Sequence, residues 1–326
     1  MEPHPDIVTP ATLGVGDPRP VGSQPIPIAL PSYIAPTGEY PSADGPGTPM
    51  FLLAMIHTAI GQAGQAPFNA LPPDGRLLTV DQAHMADAPL YSVIMNQFGG
   101  EPPSFALPDL RGRSVVGSNP GVAPPANTVA MQWLMATQSV PGFDGIAGIA
   151  AGMVVPFAGS VVPSGWVACD GSFFTQAQYP QLFALFGNAF GWLTTTEVTL
   201  PRLTDNVVIG AGAPYAPGWP VTTVGTMIGG GPLQGVCLNY LICFNGVWPN
   251  AAPSASVPVQ QGFIGQIIAY AGNDAPPGWL FCDGSLLAIE TYMTLFALIG
   301  NIYGGDGETN FAAPDLRGKV IVGPAG

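Results

Sequence analysis

Three times along the chain, an apolar run gives way to a Pro/Gly-rich turn, a short amphipathic stretch and a second apolar run. The runs 264–271 and 153–158 read as strands. In 289–299, Tyr292, Leu295, Phe296 and Ile299 recur at spacings of three and four. That is the stripe of a helix laid on a core. Leu182, Leu185 and Phe186 repeat the stripe within 181–187, and 90–95 carries a shorter version. Gly300 and Gly187 stand where a helix ends on a left-handed residue. Residues 320–322 read as a closing strand, and 238–244 is apolar almost without interruption, the pattern of a strand covered on both faces. Residues 50–61 predict a strand or short helix containing His57, and 26–30 could serve at most as an edge strand because of Pro27.

The punctuation between these runs repeats with them, which makes the chain a repeat protein. The last copy holds Pro277-Gly278-Trp279, Cys282-Asp283-Gly284, Tyr303-Gly304-Gly305 and Pro314-Asp315-Leu316-Arg317-Gly318. The middle copy holds Gly165-Trp166, Cys169-Asp170-Gly171 and Pro201-Arg202-Leu203. The first holds Asp74-Gly75, Phe98-Gly99-Gly100 and Pro108-Asp109-Leu110-Arg111-Gly112. Asp170 to Pro201 and Asp283 to Pro314 both span 31 positions, while Asp74 to Pro108 spans 34. The first copy lacks the Gly-Trp pair, and the second has Arg202 where the others have Asp109 and Asp315. Asp74, Asp170 and Asp283 are expected in tight Asp-Gly reversals. Arg111 and Arg317 are expected to hold carboxylates or carbonyls within their turns.

The order and spacing of these motifs resemble the phage tail collar domain family, and within it the group called microcystin-dependent proteins. The resemblance implies an α+β module of short strands plus one short helix that associates in threes. Three tandem modules in one chain would then satisfy that association internally, in a pseudo-threefold arrangement. The expected organisation is a Pro-rich arm over 1–45, repeat 1 with its following strand over 46–152, repeat 2 with its following strand over 153–263, and repeat 3 over 264–326.

After repeat 2 comes the strand around Cys237–Cys243, and after repeat 1 the run 131–136, but after repeat 3 the chain ends. The stretch 32–41, with Tyr33, Ile34 and Tyr40, echoes 239–249 with one residue deleted. The arm therefore carries the missing back half of repeat 3. It could fold back onto its own repeat 3 or cross into the next subunit's, as in donor-strand complementation. The second contact is head-to-tail and would propagate as a filament.

Composition favours assembly. Hydrophobic residues make up 47% and charged residues only 8%, against about a quarter in ordinary domains. Such an exterior is expected to be hidden against copies of itself. The net charge of −13 and seven basic residues exclude a nucleic-acid stripe. Five of those seven, Arg111, Arg113, Arg202, Arg317 and Lys319, sit in or beside the Pro-Asp-Leu-Arg turns. No run approaches the length of a transmembrane helix, and the first residues lack the basic and apolar regions of a signal peptide. The three histidines are far apart in sequence, and Cys169, Cys237, Cys243 and Cys282 form no ligand pair, so no metal, cofactor or catalytic residue is expected. Cys169 and Cys282 are expected to be small apolar groups in separate cores.

The expected function is a structural, self-assembling subunit of an extracellular or phage-tail-like filament, or of a virion-like surface, without enzyme activity. The alternative is a receptor-binding tip of a tail fibre, holding cell-surface glycan through Trp192, Trp219 or Trp248.

Overall fold

The computed structural model describes residues 25–36, 40–41, 49, 51, 53–60, 70–81, 87–142, 146–187, 189–212, 222–228, 234–249 and 261–325. The arm supplies β1 (Ile26–Ala29) and β2 (Ser32–Ile34). The first module supplies β3 (Ile56–Ala59), β4 (Leu77–Thr79), α1 (Ala88–Ile94), β5 (Ser104–Ala106), β6 (Ser114–Gly117) and the following β7 (Thr128–Ala136). The second supplies β8 (Met153–Phe157), β9 (Trp166–Ala168), β10 (Phe173–Thr175), α2 (Pro180–Phe186), β11 (Trp192–Thr194), β12 (Glu197–Thr199) and β13 (Val207–Gly210), followed by β14 (Met227–Ile228) and β15 (Gly235–Cys243). The third supplies β16 (Gln266–Tyr270), β17 (Trp279–Phe281), β18 (Leu286–Ala288), α3 (Met293–Ile299), β19 (Asn310–Ala312) and β20 (Lys319–Val322).

The helices form for the reason the apolar spacing gave. Leu295, Leu298 and Ile299 of α3 are buried, as are Leu182 and Phe186 of α2 and Leu90 and Ile94 of α1. Each helix is seven residues long, so packing of its stripe, not propensity, holds it. Gly300 and Gly187 end α3 and α2 at φ 58° and 51°, and Met95 takes the same role after α1 at φ 47°. The predicted span 289–299 is too long at its start: 289–292 form a turn in which Thr291 and Tyr292 N–H donate to Ala288 O, and the helix begins only at Met293. Residues 56–59 within 50–61 are strand, settling the helix-or-strand alternative there.

Two kinds of seam join the modules. In the first, each module's closing strand lies parallel to a second strand. β6 pairs β7 with Ser114 opposite Thr128, and β13 pairs β15 with Val207 opposite Gly235. The strand β15 is buried at eight of nine positions, as its apolar run required. In the third module the same parallel partner for β20 is β1, with Val320 opposite Pro27 and Val322 opposite Ala29.

In the second kind, the opening strands β3, β8 and β16 meet head to tail. Gln266 at the start of β16 pairs Ala59 at the end of β3. Met153 at the start of β8 pairs Tyr270 at the end of β16. Met55, just before β3, bridges Phe157 at the end of β8. Each strand thus hands on to another and the third returns to the first.

The core is continuous across module boundaries. One apolar cluster holds Cys169, Phe174 and Leu203 of the second module together with Cys282, Leu295 and Phe311 of the third. Cys169 and Cys282 were expected in separate cores and instead share this one, because strands such as β15 bury one module's residues against the next. They remain free thiols, like Cys237 and Cys243.

Candidate assembly site

The seam made by the arm is the place where the chain joins its two ends. Ile26 N–H donates to Gly318 O at 3.3 Å and Leu30 N–H donates to Val322 O at 3.0 Å. In a parallel ladder alternate residues face the partner, so Pro27, which has no N–H, falls on the side where none is needed. Leu30 and Ile34 are buried at 2% and 0% exposure, whereas Ile26, Ile28 and Ala29 are only half-buried and Pro27 is exposed. Past Pro31 the chain continues as β2, with Ser32, Tyr33 and Ile34 antiparallel to Thr58, His57 and Ile56.

Register fixes what the arm stands in for. Trp133 opposite Pro156, and Tyr240 opposite Ala269, occupy the ladder position that Ser32 occupies opposite Thr58. The main-chain bonds agree. Ala54 N–H donates to Ala35 O, as Gly152 N–H does to Ala136 O and Gly265 N–H to Cys243 O. The start of the echo in sequence is therefore displaced by one: Ser32 matches Tyr240, not Asn239. Tyr33 and Ile34 lie in this seam, whereas Tyr40 is 54% exposed. Residues 37–39 of the echo lie outside the described residues. The arm lies on its own chain's β20, the first of the two closures the sequence allowed.

A second interlock runs through the Pro-x-Leu turns. Gly117 bridges Thr204, Gly210 bridges Arg317 and Gly323 bridges Arg111, a cyclic set in which each module touches the next. Glycine is required at these crossings by proximity. A Cβ on Gly117 would lie 1.9 Å from Leu203 O, on Gly210 1.8 Å from Leu316 O, and on Gly323 2.3 Å from Leu110 O. A cavity of about 50 Å³ is lined by Ser32, Trp133 and Tyr240 together with apolar residues of all three modules.

The remaining sequence-predicted residues hold turns. Gly75, Gly171 and Gly284 have φ of 75°, 81° and 77°, the reversal expected after Asp74, Asp170 and Asp283. Asp170 Oδ1 accepts from Ser172 N–H at 2.8 Å and Asp283 Oδ1 from Ser285 N–H at 3.0 Å. Asp74 accepts instead from the backbone and guanidinium of Arg76, and that guanidinium holds its carboxyl below the usual range. Arg317 donates to Asp315 through Nε at 2.8 Å and Nη2 at 2.9 Å, and Arg111 grips Asp109 at 2.9 and 3.2 Å. Arg202 takes the place of these aspartates, bridges Asp170 through the backbone and is exposed. Lys319 donates to Asp315 O, and burial lowers its pKa. Trp166 and Trp279 are 4% and 2% exposed, and Trp279 Nε1–H donates to Gly148 O at 3.3 Å. Burial pushes the Cys237 thiol up to about 11.

His57 is a lone histidine in its stretch of sequence, of the kind that is ordinarily a packed or surface residue. Its Nδ1 lies 3.1 Å from Gln266 Nε2, and its ring meets Phe51 and Phe263 edge-on at 5.6 and 5.9 Å. Desolvation lowers its pKa to about 4. The signal for it existed: the matching positions in the other copies are Val155 and Ile268.

Of the aromatics named for glycan, Trp248 is half-buried and packs on the core. Trp219 and the side chain of Trp192 lie outside the described residues. Among the described residues no group of three or more His, Cys, Asp or Glu side chains converges as metal ligands, and no helix is long and apolar enough to cross a membrane.

Comparison with known families matches the phage tail collar domain at residues 60–115, 152–208 and 265–321, which together make up more than half of the chain. The chain belongs to the phage tail collar domain family. The three matches fall on the three modules of this collar protein, and membership marks it as a phage tail fibre-like structural protein. It is similar to Protein RhiB of Rhizobium leguminosarum bv. viciae, with 32% identity over 108 residues, 30% of this chain and 48% of that protein. The collar chain thus spans about half the length of this curated relative. No solved structure matches it.

Proposed function

We propose that this collar protein is a self-assembling structural subunit, without enzyme activity, of an extracellular or tail-like filament. In it, three modules stand around a pseudo-threefold axis and subunits join head to tail by exchange of β1 and β2. One observation carries the reading: the strand that chain continuity supplies to the first two modules reaches the third from the opposite terminus, with the same parallel register. A strand held by no short connection can be supplied equally well by a neighbour, and a non-closing exchange of that kind makes a fibre. Support for the axis comes from the cyclic bridges of Gly117, Gly210 and Gly323 and from the head-to-tail ring of β3, β8 and β16. The scarcity of surface charge, 8% of residues, supports burial of the exterior in an assembly.

Mixing two variants, each with one cysteine added to the four buried native ones, tests this. Ala29→Cys chains and Val322→Cys chains, partners in the β1–β20 ladder, are assembled together and oxidised. Fibres under the electron microscope with a covalent heterodimer support exchange. Fibres without the cross-link, or fibres formed equally by a chain lacking residues 1–45, overturn it.

A further inference from the structure

The three opening strands carry apolar residues at one position in two modules and a titratable residue in the third. Leu134 faces Val155 in one ladder and Leu241 faces Ile268 in another, while Tyr33 of the arm faces His57. Val155 and Ile268 are 2% and 4% exposed. The histidine therefore stands, half-buried, at a position that is core in the other two modules, and only in the seam that joins the chain's two ends. It also touches the third module, through Gln266 of β16, a side chain with no exposure. One ring thus stitches together the arm strand β2, the strand β3 and the strand β16.

We infer that His57 makes this seam an acid-sensitive latch, whose protonation releases the arm and frees it for exchange. This rests on the strand-exchange reading above, of which it is the regulation. Gln266 Oε1 already accepts from Phe263 N–H at 3.2 Å, which turns the amide nitrogen Nε2, a donor, towards the ring. Nδ1 faces the Gln266 amide at 3.1 Å, and the ring edges face Phe51 and Phe263. From β2 the facing group is Tyr33, whose phenol burial pushes above its usual range, so it is neutral in acid. Gln266 is neutral, and among the described residues no carboxylate or basic side chain acts on the ring, whose shift comes from desolvation alone. An imidazolium there would be a charge without a counter-ion, a state relieved by moving the arm into water.

The test uses the full chain, dilute enough to remain monomeric, and hydrogen exchange read by mass spectrometry. The protection of 26–34 is compared with that of 235–243 at pH 7.5 and pH 4.5, after correction for the intrinsic exchange rate. Wild type should lose protection in the arm by on the order of fifty-fold relative to β15, and His57→Ile, which copies Ile268, should lose none. Equal loss in His57→Ile, or no loss in wild type, overturns the latch. A direct proton NMR titration of the wild-type ring covers a variant that fails to fold: a His57 midpoint at or above that of a free histidine overturns it as well. Arm release is measured on the monomer. Acid-dependent release without fibres therefore keeps the latch and refutes the filament, while fibres without acid dependence do the reverse.

Discussion

The seams β13–β15 and β1–β20 share one ladder geometry and differ in how they are made. At the first, all four residues of β13 and eight of the nine in β15 are buried, and the strand runs unbroken from its parallel partner to its antiparallel one. At the second, β1 is half-buried to exposed, Leu30-Pro31 interrupts the strand, and three of the four residues in β20 are only half-buried. Continuity of the chain keeps the first pairing at high effective concentration, whereas the second must close across the whole chain. The same fold thus has a permanent seam and a replaceable one, and opening is expected at the seam with less buried apolar surface.

The largest effect separating the two comes from removing residues 1–45. Losing the burial of Leu30 and Ile34 alone forfeits on the order of 5 kcal/mol at about 1.5–3 kcal/mol per buried aliphatic side chain. Chemical denaturation should show this loss together with early exposure of α3, and a truncated chain as stable as wild type would show that the arm seam carries nothing. Next, Gly210→Val drives a side chain into Leu316 O, which is backbone and cannot swing away. More than about 3 kcal/mol should be lost, visible as insoluble expression or a collapsed melting temperature. Gly323→Val, at the arm's own module, should be milder, since a Cβ there would stand 2.3 Å from Leu110 O against 1.8 Å from Leu316 O at Gly210.

Third, stability should depend on acid through His57. Its folded pKa is about 4 against about 6.5 when unfolded. The unfolded chain therefore binds the extra proton between those values. Stability is highest above about pH 6.5 and falls as the pH drops towards 4, by about 3 kcal/mol in full. His57→Ile should remove that slope in urea melts run across the range, and an unchanged slope would assign it to other groups. The smallest effect is expected at the turns. Arg317→Ala, in a partly buried fork, should cost about 1 kcal/mol, within the range for such pairs, while Arg111→Ala, whose guanidinium is more exposed in the same fork, should leave the melting temperature unchanged. Equal effects would mean that the forks do not differ in burial.

Much of each module was legible because it rests on local chemistry. Asp-Gly tolerates the positive φ of Gly75, Gly171 and Gly284, apolar spacing of three and four defines α2 and α3, and Asp315-Leu316-Arg317 brings its own ion pair within reach. The start of α3 lies later than the predicted 289 because Thr291 and Tyr292 N–H both donate to Ala288 O in a turn, and the helix begins only at Met293. The role of His57 was hidden for a different reason: one histidine in an apolar stretch has meaning only when its counterparts Val155 and Ile268 are laid beside it in register.

By itself the sequence determined that one module is written three times, because repetition and turn chemistry act over a few residues. Which surface the arm covers, which glycines touch a neighbour's carbonyl and that the second and third modules share a core were decided only by the tertiary structure. Those contacts join residues such as Ala29 and Val322, which no short stretch of chain constrains to meet. The free energy that selects them is apolar burial and ladder closure between modules, and it exists only once the modules are folded.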